Sequence, residues 1–209
     1  LEMPQQSSTL KESQIKKWRT KDLGIPNIHL DLASHLISLL IYFFNSVPTK
    51  VNSFEIKNSK KSYIDNAFTW LRFKKFIGHL WFSKNATGKR NELSIQIFGN
   101  KGSLQWTHNN PEEVHFFDNS GNISIINRLS KKTKYLSNKK LFTYSPGHPG
   151  GFLDAFINIY NQIYFLYVNK KVEIPILLDL KSNLDVIETL DKIHVSSNKK
   201  RWQSILLKK

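Results

Sequence analysis

Asp31, His35 and Ser38 stand four and then three residues apart within an otherwise apolar stretch, a spacing that sets all three on one face of a helix. Polar groups at core-facing depth cost free energy unless they are partnered, so the Asp-His pair is a candidate site. A carboxylate one turn from an imidazole can fix the ring's tautomer and stabilise the imidazolium, which is equipment for moving a proton. The same letters also fit a structural role, with Asp31 complementing the helix N-terminus and His35 partly exposed. A metal set of His29, Asp31 and His35 is disfavoured, because His29 and His35 diverge by roughly 120° around a helix axis. His148 is a second candidate. It lies in the turn Ser145-Pro146-Gly147-His148-Pro149-Gly150-Gly151, ahead of a helix whose first amides could meet an anionic or hydroxyl-bearing ligand. An incidental surface histidine fits that turn somewhat better on the sequence alone. In the helix that follows, Asp154, Asn158 and Asn161 read as a solvated polar stripe, with the aromatic residues turned inward.

The elements that must hold these residues are legible from period and punctuation. Apolar positions Leu32, Leu36, Leu39, Leu40 and Phe43 predict a buried helix from His29 to Phe44, ended by Asn45-Ser46-Val47-Pro48. The period then shortens. Segments around Val51–Ile56, Ala67–Phe73, Phe76–Phe82, Leu93–Phe98, Ser103–Thr107 and Val114–Asp118 are rich in β-branched and aromatic residues between Asn-, Gly- and Lys-rich turns. Spacing this close leaves no room for helical crossovers and predicts an antiparallel meander. Residues 119–144 are weakly patterned and basic, a long excursion with room for a short helix or strand. Helices are expected over Phe152–Val168 and Asp179–His194, and a closing strand over Arg201–Leu207. The fold class is therefore α+β, an open and largely antiparallel sheet with helices packed on one face, in a single domain over residues 1–209.

Composition narrows the functions. The 209 residues carry 31 Lys and Arg against 16 Asp and Glu, a net charge of +15, with 40% hydrophobic residues and no cysteine. That apolar content supports a core and excludes a disordered basic tail; the absence of cysteine excludes disulfides, thiolate metal sites and a thiol nucleophile. The lysines come as scattered pairs, such as Lys60-Lys61, Lys131-Lys132 and Lys199-Lys200, and not as one basic stripe. Trp70, Arg72, Phe73, Lys74 and Phe76 could form a stacking platform for single-stranded nucleic acid, but a sheet edge rimmed with lysine explains them with less assumed. No apolar run approaches the ~20 residues of a spanning helix, no signal peptide opens the chain, and no G-x-G-x-x-G or G-x-x-x-x-G-K-[ST] phosphate loop occurs. The non-Met start suggests a piece of a longer protein, and a cytoplasmic location is expected.

The order of motifs resembles the Gfo/Idh/MocA oxidoreductases, NAD(P)-dependent sugar and cyclitol dehydrogenases. Trp18-Arg19 through Gly24, then His29-Leu30-Asp31-Leu32-Ala33-Ser34-His35, is similar to that family's helix-opening segment. Phe98-Gly99-Asn100-Lys101-Gly102-Ser103-Leu104-Gln105-Trp106 is similar to its meander, and Gly147-His148-Pro149-Gly150-Gly151 through Tyr160 to its G-H-P-E-G-Y helix start. The resemblance is collinear over nearly the whole chain. It implies a C-terminal substrate-binding and oligomerisation domain, joined in the complete protein to an N-terminal Rossmann domain that binds NAD or NADP and supplies a catalytic Lys. It further implies Asp31 and His35 as catalytic residues, His35 taking the proton of the substrate hydroxyl and Asp31 supporting it, with Arg19 and His148 near a small sugar or polyol. Two positions depart from the pattern: Ala33 replaces a frequent Gly, and Gly150 a common Glu. The implied partners are the Rossmann domain and further copies of the chain through the open sheet face; no cofactor is expected on this chain alone, which is expected to be inactive. A non-catalytic, self-associating domain of the same fold is the alternative, with Trp81, Phe82 and Trp106 as candidates for burial between subunits.

Overall fold

The computed structural model describes residues 1–4, 22–57, 62–130, 144–148, 150–168 and 179–205. The chain divides into two compact units, Leu1–Leu93 with Leu178–Lys209, and Ser94–Leu177.

In the first unit the strands are β1 (Glu2–Pro4), β2 (Lys50–Ile56), β3 (Asn66–Arg72), β4 (Ile77–Ser83) and β9 (Gln203–Ser204), in the order β1-β4-β3-β2-β9. All pairings are antiparallel except β1 with β4. The helices are α1 (Ser34–Phe44), entered through a π-helical turn at His29–Ala33, and α3 (Leu180–Lys199). Period-2 alternation assigns the two sheet faces. Val51, Ala67, Leu71, Leu80 and Phe82 join Leu32, Leu36, Ile37, Leu40 and Ile41 from the first helical run and Val186, Leu190 and Ile193 from α3 in one core. The other face presents Phe54, Phe68, Trp70, His79 and Trp81, where Phe68 and Trp81 stack at 6.2 Å. Phe82 therefore cannot serve the outer face: it is fully buried, pointing opposite to its neighbour Trp81. Phe73 is likewise buried and stacks on Phe76 at 4.2 Å, so it is not open to a nucleic-acid base.

The edge of β2 shows how the sequence completes the layer. β9 pairs only with Lys50 and Val51, and the next donors on β2 are met by α3: Ser53 N–H donates to Ser196 Oγ and Glu55 N–H to Ser197 Oγ, both at 3.1 Å. Two adjacent serines at the end of a helix thus satisfy sheet donors that would otherwise be buried without partners. α1 ends where Asn45 adopts a left-handed conformation, at φ 43°.

The second unit holds the consecutive antiparallel strands β5 (Ser94–Gly99), β6 (Gly102–Thr107), β7 (Asn110–Asp118) and β8 (Ile123–Ile126), then α2 (Phe152–Tyr167). The excursion after residue 118 thus begins as a strand. Gly102 is obligatory at the β5–β6 turn. Its φ is 142°, and a Cβ there would lie 2.3 Å from the Phe117 carbonyl oxygen. α2 reverses the expected amphipathicity. Asp154 and Gln162 are buried, whereas Phe152, Leu153, Phe156, Ile157, Tyr160 and Tyr164 are exposed. The i, i+4, i+8 row of Asp154, Asn158 and Gln162 is the inward stripe, and the aromatics turn outward. Among the described residues no helix is long and apolar enough to cross a membrane.

Candidate active site

Entry to the first helical run is fixed before any site residue is reached. The Asp22 carboxylate accepts the Asn27 N–H on one oxygen and the Ile64 N–H on the other, each at 2.9 Å. One of the helix's orphan N-terminal donors is thereby satisfied and the run is tied to the segment before β3. His29 to Ala33 then form a π turn, an uncommon insertion found disproportionately at functional positions. Asp31 sits in the middle of it. His29 points inward, edge-on to Phe82 of β4 with ring centroids 5.5 Å apart.

Lys84, immediately after β4, reaches this turn. Its Nζ lies 2.8 Å from Asp31 Oδ2 and donates to Asn27 Oδ1 at 2.8 Å. The Lys84 side chain is 12% exposed and that of Asp31 25%, so the pair is shielded more than an ordinary surface ion pair. One turn beyond Asp31, His35 is exposed, and no residue of the described structure hydrogen-bonds or ion-pairs with it. Ser38 is half-buried. Asp31 and His35 therefore share one helix as their spacing predicts, but the partner that holds the carboxylate is Lys84.

His29 belongs elsewhere. Its Nε2 is 3.0 Å from Glu55 Oε1, close enough to pair electrostatically but off the line of a hydrogen bond, and His194 Nδ1 lies 3.0 Å from Glu55 Oε2. Glu55 is thus a buried carboxylate between two imidazoles, with no contact to Asp31. The described residues contain no group of three metal-ligating side chains placed to hold an ion.

In the second unit His148 is exposed. Its N–H donates to the Ser145 carbonyl at 3.2 Å, its Nδ1 also lies 3.2 Å from that oxygen, and its own carbonyl accepts from Arg128 Nη2 at 3.1 Å. Arg128 is the buried anchor of this turn. It pairs with Glu112 and donates from Nη1 to the Tyr144 carbonyl at 3.0 Å, which fixes the chain entering α2. The substitution at Gly150 has a local reason, since a Cβ there would come within 2.8 Å of Glu112 Oε1 and 3.3 Å of Asp154 Oδ2. A glutamate would add a third carboxylate to that cluster. Arg19 lies outside the described residues.

Lys84, Asn27 and Arg128 escape sequence reasoning. Each meets a side-chain partner distant in the chain, and Lys84 is one of 31 cationic side chains. The one available signal was position, a lone Lys at a strand end between Ser83 and Asn85.

Comparison with known proteins places this geometry. The chain aligns at a TM-score of 0.79 and 21% identity with an oxidoreductase from Sinorhizobium meliloti, covering 97% of this chain and 55% of that one. It aligns at 0.79 and 17% with levoglucosan dehydrogenase in complex with NADH and L-sorbose, covering 99% and 57%. For the inositol dehydrogenase homolog from Azotobacter vinelandii, complexed with NADH and myo-inositol, the values are 0.77 and 16%, covering 97% and 56%. The chain thus spans somewhat more than half the length of these structures. Among curated proteins none matches it. Residues 5–205 match the family described as "Oxidoreductase family, C-terminal alpha/beta domain", and the chain therefore belongs to the Gfo/Idh/MocA oxidoreductases through that domain.

Proposed function

We propose that this chain is the substrate-binding and oligomerisation domain, a single domain over residues 1–209, of an NAD- or NADP-dependent oxidoreductase acting on a sugar or polyol hydroxyl. The observation that carries the reading is a carboxylate fixed by a lysine, Asp31, one helical turn from an exposed imidazole, His35, that has no partner among the described residues. His35 takes the proton from the substrate hydroxyl oxygen as that carbon becomes a carbonyl, and Asp31 binds and orients a hydroxyl beside it. Arg19 and His148 are proposed substrate contacts on the family resemblance alone.

The described residues do not form a dinucleotide cradle. The nine glycines contain no G-x-G-x-x-G, and Gly24, Gly88 and Gly121 stand singly with open space around them. The dinucleotide, which supplies a hydride acceptor, is accordingly assigned to a domain outside this sequence. The NADH complexes of levoglucosan dehydrogenase and the inositol dehydrogenase homolog support this assignment, and so does the 55–57% share of the relatives that the chain covers. The exposed Phe54, Trp70 and Ile77 on the outer sheet face support self-association there, a feature that a non-catalytic scaffold of the same fold would share.

Turnover separates the two. The complete protein, given a panel of sugars and cyclic polyols that includes myo-inositol and levoglucosan, is expected to reduce NAD or NADP with at least one of them. A complete protein that binds the panel but reduces neither dinucleotide would leave the scaffold reading in its place.

A further inference from the structure

We propose that Lys84 is a positioning residue of this site, which claims one oxygen of Asp31 so that the other is presented to a substrate hydroxyl. The inference rests on the reading of Asp31 and His35 given above and assigns Asp31 to hydroxyl recognition, leaving His35 as the proton acceptor without its help. Three observations carry it. Lys84 Nζ is 2.8 Å from Asp31 Oδ2 and from Asn27 Oδ1, so two of the ammonium's three donors are committed to fixed partners. Both ends of the clamp are rigid. Lys84 follows β4, which is paired on both sides, and its N–H donates to the Asp65 carbonyl at 2.8 Å; Asn27 is buried and held by Asp22. Finally, Asp31 lies in the π turn that opens the first helical run, and no residue of that run bonds its carboxylate, so Lys84 is the contact that orients it. Ordering a long lysine stem costs side-chain entropy, and an exposed pair would return little of that cost. A half-sequestered, doubly bonded ammonium returns more.

The consequence is a division of labour that kinetics can separate. In the complete protein, Lys84→Met is expected to raise KM for the best substrate of the panel about tenfold, the scale of a misplaced charge-assisted hydrogen bond, with kcat within about threefold of the parent. Lys84→Arg, which restores a cation able to reach Asp31, is expected to recover most of the loss. If His35→Ala lowers kcat while Lys84→Met leaves KM unchanged, Lys84 has no part in the site and this inference is overturned alone. If neither variant changes either constant, the Asp31–His35 reading itself fails. The clamp can also be read on the 209-residue chain without turnover. Trace acetylation should modify Lys84 more slowly than the exposed Lys74, and Asp31→Asn should abolish that protection; equal reactivity of the two lysines in the unaltered chain would refute the contact.

Discussion

Of the carboxylates that cationic or imidazole side chains hold in the first unit, Asp31 and Glu55 behave differently. Asp31 keeps partial access to solvent under Lys84, as a binding group must. Glu55 is sealed between His29 and His194, with its side chain 4% exposed, and His29 Nδ1 is buried without a hydrogen-bond partner. Removing the carboxylate would leave two imidazoles facing a void. Glu55→Ala is therefore expected to lower the stability of the fold by about 3–5 kcal/mol, the cost of breaking a buried pair from one side, measured by urea unfolding; a loss below about 1 kcal/mol would show that the cluster contributes little. Asp31 and His35 were legible because both lie on one helix, where spacing converts directly to geometry. Lys84, Glu55 and His194 were not, because each meets its partner only through the packing of β4, β2 and α3 around the first helical run, and no local period encodes that meeting.

Among the elements, most helix and strand bounds follow from period and punctuation within a residue or two, but α3 runs five residues past the expected His194 to Lys199 and β7 begins at Asn110, four residues before the expected Val114. Three further features were not legible. The π turn at His29–Ala33 has no distinct composition. α2 turns its Asp154 row inward because the polar cluster at Glu112, Arg128 and Gly150 lies beside its first turn, a tertiary circumstance that overrides the amphipathic pattern. Phe82 and Trp81 are adjacent large aromatics, and only strand parity tells which one is core. The β7–β8 turn allows a pH test. The Asp118 carboxylate accepts from the side chain and backbone of Asn122 and from the Ser120 N–H, and these bonds hold its pKa below the ordinary 3.8. A folded pKa below the unfolded one means that the stabilising contribution is present above the ordinary carboxylate pKa and is lost as pH falls through the lowered one. The Ser120 and Asn122 amide resonances are expected to titrate with a midpoint below 3.8, and Asp118→Asn should remove the transition. A midpoint at or above the ordinary value would contradict the hydrogen-bonded turn.

For the whole molecule, the charge of +15 is the most conspicuous number and one of the less informative. Its lysines are dispersed, and the one we assign to function is known by its two fixed contacts. The absence of a phosphate loop carries more weight, because under the proposed function it divides the reaction, with proton and hydroxyl assigned to this chain and the dinucleotide to another domain. The 209-residue chain by itself should neither bind NAD or NADP nor oxidise a polyol, and dinucleotide-dependent turnover by the isolated chain would overturn that division. The central claim, that this domain brings the proton acceptor to a dehydrogenase, is tested most directly by the turnover number of the complete protein before and after His35→Ala. We predict a fall in kcat of about 10²-fold or more, the scale of a positioned general base, with the fold retained; an unchanged kcat in the folded variant would remove His35 from the reaction.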